Sequence, residues 1–271
     1  MNSLFAGKAT AHLLDKSQGA DHVASPWTSF YRRRSEAKVR LFCLHHAGGG
    51  ASAFKSWLPS IPGWIDIVSL QMPGREERLS ETPLTFIDPL MDALSRTIRS
   101  FDPIPYAFFG HSMGGLVSFI LARKLQYAET QMAHPSHLFI SATPPPRAKK
   151  AETEADLTDE SLVAEMIKLG GTPKELLESA DYRNFILPAM RADAELCERL
   201  KESSLEPVDA DMTIMFGQRD PMMSMTDALG WKPLTTGKFD IQPFGGDHFY
   251  LREHKDQVID LLVKRLAALA L

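Results

Sequence analysis

Short apolar runs alternate with segments of helical periodicity along most of the chain. Strands are predicted within AKVRLFCLHHAGGG, IDIVSLQMPG, YAFFG, HLFISATPP, MTIMFGQRD and KFDIQPFGG. Between and after them, FIDPLMDALSRTIRSF, MGGLVSFILARKLQ and LREHKDQVIDLLVKRLAALAL carry apolar residues at helical spacing. Continuous apolar strands joined through helices are typical of parallel sheets that are covered on both faces. The pattern therefore predicts an α/β fold with a mostly parallel sheet and helices on both faces.

The alternation is interrupted over about residues 144–205, where no convincing strand occurs. Two stripes at helical spacing lie in this region, one at Leu162, Val163, Met166 and Ile167 and the other at Phe185, Ile186, Met190 and Leu200. They predict a small helical subdomain inserted after the strand that ends near Ser141. An inserted helical subdomain at the edge where strands end would form a lid, although helices that merely pack on the sheet would give the same pattern.

The sequence pattern predicts one domain preceded by an N-terminal arm. Residues 1–37 show little sustained periodicity and are predicted to form a loosely ordered N-terminal arm. Residues 38–271, lid included, are long enough to bury one full core and are predicted to form a single domain.

Composition excludes several classes of function. The net charge is −4 and the longest basic run is RRR at 32–34, which argues against a nucleic-acid partner. No apolar stretch approaches the roughly 18 residues of a membrane span, and the N-terminus lacks the apolar core of a signal peptide. The two cysteines do not suggest a disulfide framework. These features predict a soluble, cytoplasmic protein with no membrane partner.

The stretch YAFFGHSMGG carries the clearest chemical signal. GHSMG fits G-x-S-x-G, the nucleophile elbow, in which a strained turn between a strand and a helix lifts the serine oxygen above the sheet. Here the motif follows an apolar strand and precedes an amphipathic helix, which is the context that it requires. Ser112 is therefore the candidate nucleophile. Because a serine hydroxyl is a weak nucleophile by itself, it needs a histidine base and a carboxylate to orient that base.

The chain supplies both groups after the serine, at the ends of later strands. Asp220 follows MTIMFGQR, and His248 lies in GGDHFYL before the last helix. Catalytic groups gather at the carboxyl ends of parallel strands, which favours these two residues. Asp227 and Asp247 are competing candidates for the acid; Asp247 is interpreted as a turn residue.

The other histidines are given no proton-transfer role. His45 and His46 precede a turn, HHAGGGAS, in which a backbone N–H is expected to meet the developing oxyanion, and the N–H of Met113 is the expected second donor. The surface is predicted to hold His22, His134, His137 and His254. HHAGGGAS does not fit G-x-G-x-x-G, so a dinucleotide is not expected. No H-x-x-x-H or C-x-x-C spacing predicts a metal.

From about Val39 to its C-terminus the chain resembles the type II thioesterases of nonribosomal-peptide and polyketide synthesis, which have the α/β-hydrolase fold. The segments that carry the resemblance are HHAGGGASAF, QMPGREERL, YAFFGHSMGG, ISATPPP, IKLGGTPKELLE, FILPAMRADAEL, FGQRDP and GGDHFYL. The chain differs in its longer N-terminal arm and in His45, where members often carry proline.

The resemblance implies a specific activity. Such enzymes remove stalled or misprimed acyl groups held as thioesters on the phosphopantetheine arm of acyl- or peptidyl-carrier proteins, with no cofactor of their own. It assigns the triad to Ser112, Asp220 and His248, and the first oxyanion donor to Ala47, with Gly48 as the alternative. The inserted helices match the family's lid. A small-molecule or lipid esterase, and a non-catalytic binding module on a hydrolase scaffold, are the alternative functions.

The apolar stripes of the lid provide candidates for the acyl chamber. The residues expected to face it are Leu162, Met166, Phe185 and Met190. Ordinary packing of helices on the sheet would explain the same stripes.

Overall fold

The computed structural model describes residues 25–29, 34–127, 134–146 and 157–270. Its strands are β1 (Thr28–Ser29), β2 (Val39–Leu44), β3 (Ile65–Leu70), β4 (Tyr106–His111), β5 (His137–Ser141), β6 (Asp211–Gly217) and β7 (Phe239–Phe244). Its α-helices are α1 (Ile87–Arg99), α2 (Met113–Gln126), α3 (Asp159–Leu169), α4 (Lys174–Glu178), α5 (Ala180–Lys201), α6 (Met225–Leu229), α7 (Tyr250–Glu253) and α8 (Lys255–Leu266).

The seven described strands form one sheet in the order β1-β3-β2-β4-β5-β6-β7. The two-residue β1 pairs antiparallel with β3, and each of the other neighbouring pairs is parallel. Parallel strands need crossover connections, which the helices between them supply. The observed architecture confirms the predicted α/β class with a mostly parallel sheet.

Burial on both faces explains why the central strands are apolar throughout. Every residue of β2, β3, β4 and β5 is buried. Side chains alternate between the faces along β2: Phe42 and Leu44 join a core that contains α1 and α2, whereas Leu41 and Cys43 join a second core that contains α8. Two hydrophobic cores, one on each face, therefore hold the sheet.

The closing segment forms two helices instead of the single helix that the sequence pattern predicts. It divides at His254 into α7 and α8, and Val258 and Leu262 of α8 pack in the second core. The short α7 begins directly after Phe249. It therefore separates the loop that carries His248 from the start of the longer α8.

The inserted region is helical, as predicted. The helices α3, α4 and α5 share a small apolar cluster that includes Leu162, Met166, Leu177, Leu187 and Met190. The carboxyl-terminal half of α5 has a different neighbourhood, because its buried leucines 196 and 200 pack in the main core with α1 and α2. One end of the longest inserted helix is thus part of the main core. The charged segment 147–156 lies outside the described residues.

Part of the N-terminal arm joins the sheet. Thr28 pairs with Leu70 and Ser29 with Ser69, and the Trp27 ring lies 4.2 Å from the guanidinium carbon of Arg78. These contacts were not predicted from the sequence. The remainder of the arm, residues 1–24 and 30–33, lies outside the described residues.

Candidate active site

Ser112 occupies a strained turn between β4 and α2. Its backbone has φ 55° and ψ −119°, a conformation that non-glycine residues rarely adopt. The Ser112 N–H donates to the carbonyl oxygen of Ser141, at 2.7 Å, which ties the turn to the end of the neighbouring strand. The strained turn that the G-x-S-x-G motif predicts is therefore present between β4 and α2, with Ser112 as the candidate nucleophile.

Two glycines allow this turn to pack tightly. A Cβ on Gly110 would lie 2.1 Å from the carbonyl oxygen of Gly114, and a Cβ on Gly114 would lie 2.2 Å from the carbonyl oxygen of Leu44. Both contacts are with backbone atoms, which a side-chain rotation cannot relieve. The glycines of the motif are thus required because α2 starts directly against β4 and β2.

Asp220 and His248 meet because the loops after β6 and β7 are hydrogen-bonded together. The Gln218 N–H donates to the Phe244 carbonyl and the Arg219 N–H to the Gly246 carbonyl, each at 2.9 Å. This arrangement places Nδ1 of His248 2.9 Å from Oδ2 of Asp220, with both side chains closed to solvent. The other carboxylate oxygen accepts the backbone N–H of residue 222 at 2.8 Å.

The two competing aspartates have other partners. Asp227 forms a reciprocal capping box with Ser224 at the start of α6. Asp247 is exposed, and its Oδ1 accepts the Phe249 N–H at 2.9 Å. Asp220 is accordingly the aspartate that the structure pairs with His248.

The residue before the serine, His111, packs against the base of this pair. The His111 and His248 rings are 5.2 Å apart, and Nδ1 of His111 is hydrogen-bonded to the Ser141 hydroxyl at 2.9 Å. No hydrogen bond joins the Ser112 hydroxyl to His248 among the described residues. Hydrogen bonds of a catalytic site are often long before substrate binds, so the side chains remain a candidate nucleophile and base.

The two predicted oxyanion donors have no protein acceptor in the described ranges. Within the described part of the chain, neither the Ala47 N–H nor the Met113 N–H has a hydrogen-bond acceptor. The alternative donor, the Gly48 N–H, is occupied by Oδ2 of Asp193 at 2.8 Å. The geometry thus favours Ala47 over Gly48 as a donor to an oxyanion.

The neighbouring histidines are held neutral. Burial, with contributions from His45 and nearby cationic groups, lowers the pKa of His46 to about 3. Burial likewise lowers the pKa of His45 to about 3, and it lowers the pKa of His111 well below its ordinary value. A second positive charge beside His248 is therefore avoided near neutral pH, and these rings act as polar walls.

Two adjoining cavities lie between the loop that follows β2 and the inserted helices, with volumes of about 390 and 210 Å³. Both are lined by His46, Gly48, Ile186 and Phe249. Of the predicted chamber residues, Phe185 lines the larger cavity, whereas Met166 and Met190 line the smaller. Leu162 lines neither and packs within the apolar cluster of the inserted helices.

Sequence reasoning did not single out Ile186 or Phe249 as cavity residues. Ile186 belongs to the stripe that pointed to Phe185 and Met190, so its helical position was a usable signal. Phe249 immediately follows His248, and its ring lies 5.0 Å from the His46 ring and 5.2 Å from the His248 ring. Its adjacency to the candidate base was the available signal.

Comparison with known proteins assigns the family. The Thioesterase domain family matches residues 39–266, which include the elbow, the Asp220–His248 pair and the inserted helices. The chain belongs to the thioesterase family. This assignment confirms the predicted α/β-hydrolase class and the predicted thioester hydrolase activity.

Relatives and solved structures extend the assignment. This thioesterase is 37% identical over 233 residues to the gramicidin S biosynthesis protein GrsT of Aneurinibacillus migulanus, covering 86% of the chain and 90% of GrsT. It is 32% identical over 225 residues to the medium-chain S-acyl fatty acid synthase thioesterase of Rattus norvegicus, covering 80% and 82% of the two chains. The type II thioesterase BorB from the borrelidin biosynthetic cluster superposes with a TM-score of 0.79 at 31% identity, covering 91% of this chain and 100% of BorB. The resemblance to type II thioesterases is thereby confirmed.

The described ranges of this thioesterase contain neither a candidate membrane-spanning helix nor a candidate metal site. None of the helices there is long and apolar enough to cross a membrane. No group of three or more His, Cys, Asp or Glu residues in the same ranges is arranged to hold a metal ion.

Proposed function

We propose that this thioesterase hydrolyses acyl groups from the phosphopantetheine arms of carrier proteins in nonribosomal-peptide or polyketide synthesis. The likeness to GrsT and BorB supports the pathway class, and the long phosphopantetheine thioester would reach a serine at the base of a lid-covered cleft. The observation that carries the chemistry is the Asp220–His248 hydrogen bond beside the strained Ser112 turn.

In the proposed reaction, Nε2 of His248 takes the proton from Ser112 Oγ as this oxygen attacks the thioester carbonyl carbon. Asp220 holds Nδ1–H, so Nε2 is the free nitrogen of the neutral ring. The Ala47 and Met113 N–H groups stabilise the oxyanion of the tetrahedral intermediate. When the C–S bond breaks, His248 returns the proton to the departing thiolate.

Water then resolves the acyl-enzyme. His248 removes a proton from the water, the resulting hydroxide attacks the acyl carbonyl, and the proton passes to Ser112 as the C–O bond breaks. The product is a free acid, the carrier protein regains its free thiol, and the enzyme returns to its starting state. The chain's own residues supply each proton transfer in this sequence.

The cavities would supply room for the acyl group of a thioester bound at Ser112. They lie between residues 46–50 and the inserted helices, and His111, which precedes the serine, lines the larger one. We propose that Met166, Phe185 and Met190 contact the acyl chain and that Leu162 supports them from the cluster behind. Movement of the inserted helices would then control access to the serine.

A panel of carrier proteins loaded with different acyl groups tests the proposed substrate class. Each acyl group is also supplied as a thioester of a short pantetheine-like thiol. The kcat/KM of the carrier-protein thioester is then compared with that of the small-thiol thioester. We expect a clear preference for the protein-bound form, because the carrier adds binding energy remote from the reacting atoms. Equal kcat/KM for the two forms, with faster cleavage of simple esters, would favour the small-molecule esterase instead.

A further inference from the structure

Asp193 is a buried carboxylate on the inserted helix α5 that contacts the loop after β2. Its side chain is 1% exposed, and its Oδ2 accepts the Gly48 N–H at 2.8 Å. The guanidinium group of Arg75 engages both carboxylate oxygens, with Nη2 2.9 Å from Oδ1 and Nη1 bonded to Oδ2. Such a two-point arginine–carboxylate pair fixes orientation as well as charge.

Arg75 also holds the same loop. Its Nη1 lies 3.5 Å from the carbonyl oxygen of Gly49, and its Nε donates to the Pro73 carbonyl at 3.2 Å. Asp193 therefore accepts from residue 48 while Arg75 donates to residue 49. The ion pair is thus a clamp that holds two nearby peptide groups of this loop, the one between Ala47 and Gly48 and the one between Gly49 and Gly50.

We propose that Asp193 and Arg75 are positioning residues of the oxyanion hole, an inference that rests on the proposed serine mechanism with Ala47 as a donor. By occupying the Gly48 N–H, Asp193 fixes the peptide plane that follows Ala47. The Ala47 N–H, at the start of that plane's preceding residue, has no acceptor among the described residues and stays available to an oxyanion. In this role both residues act through the loop, and Arg75 also lines the larger cavity.

The clamp couples the oxyanion loop to the inserted helices. Met190, one helical turn before Asp193, has its Sδ 2.9 Å from the site where a Cβ on Gly48 would lie, and Gly48 has φ +72°. In the next turns of α5, Leu196 and Leu200 pack in the main core. The middle of α5 thus connects the core to the loop, and a shift of this helix would move Gly48 and with it the Ala47 donor.

Testing this role requires variants that leave no buried charge unpaired, since removing one partner of a buried pair is strongly destabilising. The double variant Arg75→Met/Asp193→Leu removes both charges and the acceptor for Gly48. The double variant Arg75→Met/Asp193→Asn removes both charges but retains an amide oxygen for the Gly48 N–H. The control is Arg191→Met/Asp159→Leu, which removes an exposed ion pair between α5 and α3.

The measurements are kcat, KM and the affinity of an alkyl boronic acid, whose tetrahedral adduct on Ser112 places an oxygen in the oxyanion hole. We expect Arg75→Met/Asp193→Leu to lower kcat and boronate affinity together by about 10- to 100-fold, with little change in KM, because misplacing one donor weakens transition-state binding. The Arg75→Met/Asp193→Asn variant is expected to regain most of both. The control should match the wild type.

A conservative variant provides a second reading that does not depend on the double variants folding. Arg75→Lys keeps the buried positive charge, but its ammonium cannot hold Asp193 by two bonds and reach Gly49 as well. We expect a loss of about tenfold in kcat and boronate affinity. Wild-type values in this variant, or equal losses in the two double variants, would overturn the positioning role. A boronic acid that fails to inhibit the wild-type enzyme would instead overturn the serine mechanism beneath it.

Discussion

Asp220 and His248 form a hydrogen-bonded pair closed to solvent, with Oδ2 2.9 Å from Nδ1 and the two side chains 0% and 1% exposed. The pair is joined by backbone bonds between the loops that follow β6 and β7, so its geometry is set by the sheet. Because the carboxylate fixes the Nδ1–H tautomer, Nε2 is the nitrogen available for proton transfer. The proposed mechanism depends on this tautomer.

The variant Asp220→Asn should lose most of its turnover while retaining the fold. An amide can donate to Nδ1 and so stabilise the tautomer that carries its proton on Nε2, which cannot act as the base. We expect kcat to fall by about 10⁴-fold. Steady-state hydrolysis of an acyl thioester, with circular dichroism to confirm folding, measures the effect.

Asp227→Asn and Asp247→Asn are the matched controls for this substitution. Asp227 caps α6 and Asp247 accepts a neighbouring N–H in its own turn, so each should retain near-normal kcat. A fast Asp220→Asn enzyme combined with a slow variant at either control position would transfer the role of the acid to that position.

Stability should fall in mild acid because His137 is buried in its neutral form. Its Nε2 is hydrogen-bonded to the Thr213 hydroxyl at 2.9 Å, and burial lowers its pKa to about 4. Between this value and the unfolded value near 6.5, the unfolded chain binds the proton and the folded chain does not. The free energy of unfolding therefore rises with pH across this window. The contribution of neutral His137 is lost as the pH falls through it.

Urea unfolding of the wild type and of His137→Gln at pH 7 and pH 5 measures this contribution. The wild type should lose about 1 to 2 kcal/mol more between the two pH values than the variant, because glutamine does not titrate. His134→Gln is the control, since the His134 side chain is 42% exposed. Identical pH dependence in the wild type and His137→Gln would show that His137 contributes nothing to acid sensitivity.

Enlarging Met166 should shorten the preferred acyl chain. Met166 is buried and lines the smaller cavity, so Met166→Trp would remove volume that the chain would otherwise occupy. Each methylene that no longer fits forfeits about 0.8 kcal/mol of binding. A chain-length series of acyl thioesters, compared by kcat/KM, measures the shift.

Ile167→Trp is a stringent control, because the neighbouring side chain on α3 is exposed. It should keep the wild-type chain-length preference. If Met166→Trp also keeps that preference while remaining folded and active, the smaller cavity does not hold the acyl chain and Met166 serves only in packing.

Local pattern sufficed to predict the core strands and the elbow. The strands β2 to β5 are apolar because both faces are covered, and the glycine spacing around Ser112 specifies close backbone approach. The partial pairing of the arm with β3 was missed because a two-residue edge strand has no periodicity. His137 was wrongly predicted to lie at the surface: it is buried, and its ring stacks on Phe139 at 4.1 Å.

The candidate site was only partly accessible to such reasoning. Strand ends indicate where Asp220 and His248 should lie, since parallel strands bring their carboxyl ends to one edge. The Arg75–Asp193 clamp joins residues that are 118 positions apart through the packing of a helix on a loop. No local pattern encodes such a contact, and Asp193 on a helix reads as a solvated charge until the packing of α5 is known.

Acyl-enzyme formation on Ser112 tests the central claim most directly. An acyl-loaded carrier protein is mixed with the wild type, with Ser112→Ala and with the control Ser100→Ala, and the products are analysed by intact mass and peptide mapping. We expect a transient acyl adduct on Ser112 in the wild type and the control, and neither adduct nor turnover in folded Ser112→Ala. A folded Ser112→Ala enzyme that still forms the adduct or hydrolyses the thioester would contradict the account.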